Sequence, residues 1–84
     1  MKNCLLTYRS LTYAQKAAKI LERARVYAAI VRTPQELTRE GCGYALKVRE
    51  CDMSKTLSLL KKESASPKKV FEVFPDGRIE GVSV

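Results

Sequence analysis

The sequence predicts an α+β fold in which one antiparallel sheet carries two helices on a single face. Three observations predict it. Short apolar or alternating runs at 4–8, 27–31, 44–49 and 70–74 read as strands. Two stretches between them repeat apolar residues at helical spacing. Capping and turn residues punctuate the joins, so the order is β-α-β-β-α-β. The chain has 84 residues, the length of one domain, and a single unit spanning 1–84 is expected.

Cys4-Leu5-Leu6-Thr7-Tyr8 is apolar on both faces and is expected to be a central strand. Ser10 or Thr12 can cap the helix that follows, and Thr12 with Gln15 would make a capping box. Ala14, Ala17, Ala18, Leu21 and Ala24 form its apolar stripe. Tyr27-Ala28-Ala29-Ile30-Val31 is the second strand. Next comes a short helix with full punctuation. Thr33 is its N-cap, Glu36 closes a capping box, Pro34 takes the first helical position and Gly41 offers a left-handed stop. Tyr44 to Arg49 is the third strand, with Tyr44, Leu46 and Val48 facing one way.

Asp52 or Ser54 can cap the second long helix, whose buried face would carry Met53, Leu57 and Leu60. Ser64-Ala65-Ser66-Pro67 ends it. Val70-Phe71-Glu72-Val73-Phe74 is the fourth strand and a candidate sheet edge. Pro75-Asp76-Gly77 signals a turn into a short fifth strand from Arg78 to Val82. The whole is the split βαβ, ferredoxin-like βαββαβ two-layer sandwich, with expected strand order 2-3-1-4.

Composition narrows the chemistry. With three cysteines and no histidine, neither a Ser–His nor a Cys–His catalytic pair can form within the chain. The odd cysteine count, without Cys-x-x-Cys, argues against a disulfide framework and against a zinc ribbon. No cofactor and no metal site are expected. There is no apolar run of the roughly 20 residues that would span a bilayer. Met1-Lys2-Asn3-Cys4 does not read as an export signal, so a cytoplasmic location is expected.

A net charge of +7 admits an anionic partner, although the basic residues are spread along the chain. Only Lys61-Lys62 and Lys68-Lys69 are adjacent pairs. A nucleic-acid-binding module is one reading, since ferredoxin-like sheets include base-stacking RNA binders. The sequence lacks their Lys/Arg-Gly-Phe run. A regulatory or assembly module, a homodimer for instance, is another.

The distinctive residue is Cys42, set between Gly41 and Gly43. A thiol with no side chain on either neighbour is open to another molecule. The alternative is that the glycines serve the backbone and Cys42 packs as a small hydrophobe. The predicted topology runs the third strand antiparallel to the first. Cys42 is therefore expected near the N-terminus of the first helix, whose partial positive charge favours a thiolate. Arg9, Arg32 and Arg39 are candidates for the same end. Cys51 is expected about 25–30 Å away, at the far end of the third strand and near Cys4, where both serve the structure.

The motif Thr33-Pro34, followed by Cys42-Gly43-Tyr44-Ala45-Leu46-Lys47-Val48, resembles that of the selenium/sulfur carrier protein-like family of small bacterial proteins. Ser10, Ala14 and Leu21 add to the likeness. The chain departs from the family pattern at Gln35, where Arg is usual, and at Ala18, where an acidic residue is commoner. The resemblance implies that Cys42 carries sulfur or selenium as a persulfide or selenide. It implies a donor such as a cysteine desulfurase, and an acceptor protein. It points to a carrier rather than a stand-alone enzyme.

Overall fold

The computed structural model describes residues 3–33 and 43–82. They form five strands and two helices: β1 (Asn3–Tyr8), α1 (Leu11–Arg23), β2 (Ala28–Arg32), β3 (Tyr44–Arg49), α2 (Met53–Lys62), β4 (Lys69–Val73) and β5 (Ile79–Val82). A 3₁₀ turn, Glu50–Asp52, leads into α2. The strands make one sheet in the order β2-β3-β1-β4-β5, every pairing antiparallel.

The registers explain why this sheet forms. Ile30, Leu46, Leu6, Val70 and Val82 face one another across all five strands. Because side chains alternate along a strand, this apolar row points to one side of the sheet. There Leu6, Leu46 and Val70 join Cys4, Tyr8 and Val48 of the sheet with Ala14, Ala17, Ile20 and Leu21 of α1 and Leu60 of α2 in one core, while Ile30 at the β2 edge stays exposed. The small alanines let α1 lie close to the strands. Leu6, Leu21, Leu46 and Leu60 are fully buried, each worth about 1.5–3 kcal/mol relative to exposure. The other face carries Leu5, Thr7, Ala45, Lys47 and Phe71, which the alternation places outside that core.

The structure corrects several expectations. Ser10, not Thr12, is the N-cap of α1, because helical geometry starts at Leu11 and the Ser10 hydroxyl accepts from Tyr13 N–H at 3.5 Å. Thr12 is exposed in the first turn, and no capping box with Gln15 is made there. Ile20 belongs to the buried stripe of α1 and Ala24 is its C-cap. Asp52 precedes α2 without a capping bond, since its carboxylate binds Arg49 instead. β4 is interior rather than an edge, because β5 is present and covers it.

Both helices end in the same device. Arg25 N–H donates to Glu22 C=O and Val26 N–H to Leu21 C=O; Ser64 N–H donates to Lys61 C=O and Ala65 N–H to Leu60 C=O. These are Schellman closures, which need a left-handed residue just past the helix. Glycine usually fills that place, but Arg25 and Ser64 do so here, at φ 61° and 56°. Gly77 (φ 92°) does take the left-handed position in the β4–β5 turn, where Asp76 Oδ1 accepts from Arg78 N–H at 2.9 Å.

Candidate functional site

The site the sequence singles out lies at the end of the sheet where β1 finishes and β3 begins. Tyr8, the last residue of β1, pairs with Tyr44, the first of β3. Arg32, the last residue of β2, pairs with Tyr44 from the other side. Its guanidinium stands 5.9 Å from the centre of the Tyr44 ring, a cation–π contact of about 0.5–1 kcal/mol at an exposed position. The row Arg32–Tyr44–Tyr8 thus closes this end of the sheet.

One step beyond it, Thr33 N–H donates to Gly43 C=O at 3.2 Å. The β2–β3 ladder therefore continues to Thr33 and Gly43, the residues that border 34–42 in the chain. Thr33 is 7% exposed, and its Oγ1 has no hydrogen-bond partner among the described residues. Among the described residues, and apart from its chain neighbours, no atom lies within 4 Å of where a Cβ on Gly43 would stand.

α1 starts at the same end. The two residues Arg9 and Ser10 connect β1 to its first turn, which contains no acidic side chain. The positive end of its dipole is therefore not offset by a carboxylate of its own turn. The expected neighbourhood of the β3 start and the α1 N-terminus is what the register gives. Cys42, Gly41, Pro34, Arg39 and the short helix expected after Thr33 lie outside the described residues. Of the expected site residues, Thr33 and Gly43 are hydrogen-bonded to each other, Ser10 lies two residues past the end of β1, and Thr12 is exposed in the first turn of α1.

The residue that sequence reasoning treated only as core is Tyr8. Its hydroxyl donates to Ala65 C=O at 2.7 Å, across 57 positions of chain. This fastens the end of β1 to the Schellman closure of α2. Burial pushes the phenol well above its ordinary value of 10.0, so Tyr8 stays neutral and acts as a hydrogen-bond donor. A bond so remote in sequence leaves no local signal.

The other two cysteines fall where the antiparallel pairing puts them, at the opposite end. Cys4 is 2% exposed within the core, opposite Val48. Cys51 is exposed in the 3₁₀ turn, three residues after Val48. Among the described residues, no group of His, Cys, Asp and Glu could hold a metal ion. No helix among them is long and apolar enough to cross a membrane.

No curated protein and no solved structure matches the chain. A family model does, over residues 3–72: the family described as "Putative Se/S carrier protein-like". The match covers most of the 84 residues, and the chain belongs to this Se/S carrier protein-like family.

Proposed function

We propose that this protein carries sulfur or selenium on the Cys42 sulfur, passing it from a donor enzyme such as a cysteine desulfurase to an acceptor protein. Family membership supports the carrier role. The observation that carries the choice of residue is the anchoring of Gly43. The chain neighbour of Cys42 is hydrogen-bonded to Thr33, at the end of the sheet where β1 leads into the Ser10-capped α1. A helix N-terminus with no acidic first turn favours a thiolate over a thiol. Gly41 and Gly43 keep the approach clear for a partner's active site, and Arg39 adds positive charge from the same connection. The βαββαβ core is of the ferredoxin-like kind, a single domain with β5 as an added edge strand, and it works in a reducing cytoplasm.

The loading step balances without an external oxidant. The Cys42 thiolate attacks the outer sulfur of the donor's cysteine persulfide. A new S–S bond forms on Cys42, the donor's S–S bond breaks, and the donor cysteine leaves as its thiolate. Release repeats the exchange in the other direction.

Intact-protein mass spectrometry after incubation with a cysteine desulfurase and cysteine tests this. Wild type, Cys4→Ser and Cys51→Ser gain one reducible sulfur, and Cys42→Ser gains none. Equal loading of Cys42→Ser would refute the assignment.

A further inference from the structure

We infer that two copies of this chain join edge to edge through β2, making one continuous sheet. This does not depend on the thiol chemistry proposed above. β2 ends the order β2-β3-β1-β4-β5, with β3 as its one neighbour among the described residues. A terminal strand offers its outer N–H and C=O groups to another chain, and proteins usually guard such strands with charge, proline, a bulge or brevity. Val26-Tyr27-Ala28-Ala29-Ile30-Val31 contains neither a charge nor a proline. β2 pairs with β3 over all five of its residues without a bulge. Apolar side chains stand open along it: Ile30 is 39% exposed and Tyr27, just before it, 71%. The opposite terminal strand, β5, is shorter and carries Glu80 and Gly81.

The backbone decides how the second copy sits. Thr33 N–H donates to Gly43 C=O, so this pair is of the hydrogen-bonded kind. Such pairs alternate along an antiparallel ladder. Val31 and Ala29 therefore bond to β3, and Ala28, Ile30 and Arg32 turn their N–H and C=O groups outward. These three are spaced evenly about Ile30, the midpoint of β2. An antiparallel copy related by a two-fold axis at Ile30 sets Ile30 against Ile30 and Ala28 against Arg32. That closes about six backbone hydrogen bonds. The edge is complementary to itself, and its occupant is a second copy.

Side chains and charge favour that register. Ile30 is the exposed end of the apolar row that runs through Leu46, Leu6, Val70 and Val82. Two such ends meeting on the axis shield each other from water. On the other face Tyr27, Ala29 and Val31 line one depression, where Ala29 opposes Val31 of the second copy within reach of the Tyr27 ring. Arg32 is the one charged residue in β2. With each arginine opposite Ala28, the two lie about 13 Å apart along the strands, beyond the screening length of about 8 Å. Shifting the register by two residues either way loses backbone bonds, and toward Arg32 it also halves that separation.

Sedimentation equilibrium of the full chain between about 0.02 and 1 mM tests the inference. A reversible monomer–dimer equilibrium is expected, unchanged by reductant or by Cys42→Ser. It should be no weaker in high salt, since two copies of charge +7 repel. Ile30→Lys should weaken it at least about ten-fold. Leu11→Lys, which changes an equally exposed apolar residue on α1, should alter it less than about two-fold. Hydrogen exchange should slow with concentration at the amides of Ala28, Ile30 and Arg32. Ala29 and Val31, already bonded to β3, should be slow throughout. A monomer at about 1 mM would overturn the inference, as would a dimer that salt dissolves, equal weakening by the two variants, or new protection at 79–82 instead of in β2.

Discussion

The two ends of the sheet are fastened differently. At the end where β3 begins, Tyr8 reaches from β1 to Ala65 through a buried bond of 2.7 Å. At the end where β3 finishes, the ties are exposed. Arg49 pairs with Asp52 at 3.2 Å, with side chains 52% and 22% exposed, and Lys55 Nζ donates to Ala24 C=O at 3.3 Å. Arg49 and Lys55 are committed to a carboxylate and a carbonyl, whereas Arg9 and Lys16 line a cleft at the other end together with Tyr8 and Tyr13. The buried tie thus falls at the end that adjoins Gly43. That is the end at which the proposed thiol chemistry of Cys42 would need support, whereas Cys51 lies between Glu50 and Asp52 at the other.

Breaking the near-end fastening should have the largest effect on this contrast. Tyr8→Phe leaves the Ala65 carbonyl without its buried donor and should cost about 1–3 kcal/mol in urea unfolding. The loss also depends on pH. Because the folded protein holds the Tyr8 proton more tightly than the unfolded chain does, Tyr8 contributes stability that is complete below pH 10.0 and declines as pH rises above it. Wild type should therefore lose stability more steeply than Tyr8→Phe above that value.

Glycine at the two helix ends should act more gently and in the opposite direction. Ser64→Gly at the near end and Arg25→Gly at the far end each relieve a left-handed residue of roughly 1–2 kcal/mol of strain. Added freedom in the unfolded chain offsets about 0.5–1 kcal/mol of that. Each variant should unfold at a higher urea concentration, by a net gain on the order of 0.5–1 kcal/mol. Removing the exposed far-end ion pair with Arg49→Ala should matter least, within about 1 kcal/mol. If Arg49→Ala cost more than Tyr8→Phe, the contrast between the ends would be wrong.

Much of this was legible in the sequence. Apolar Cys4–Tyr8 marked a central strand, and Tyr44–Arg49 kept its predicted bounds. Helical spacing located α1 and α2. The misses have local causes. Ser10 and Thr12 are both good caps, and only the backbone turn at Leu11 decides between them. The alanine stripe drew attention to Ala24 and away from Ile20, one turn earlier, which fills the core. The interior place of β4 depended on whether the weak strand after Gly77 would pair. Of the site, the meeting of the β3 start with the α1 N-terminus followed from strand direction alone. The Tyr8–Ala65 bond did not, since it joins stretches far apart in the chain.

The most direct test of the thiol's setting is its alkylation rate as a function of pH, measured with iodoacetamide on Cys42 in a Cys4→Ser, Cys51→Ser chain. The account predicts a midpoint below the ordinary range for a cysteine, and a rate at neutral pH about ten-fold above that of Cys51 in the matching single-thiol chain. A midpoint at or above the ordinary range, with Cys51 reacting as fast, would contradict it.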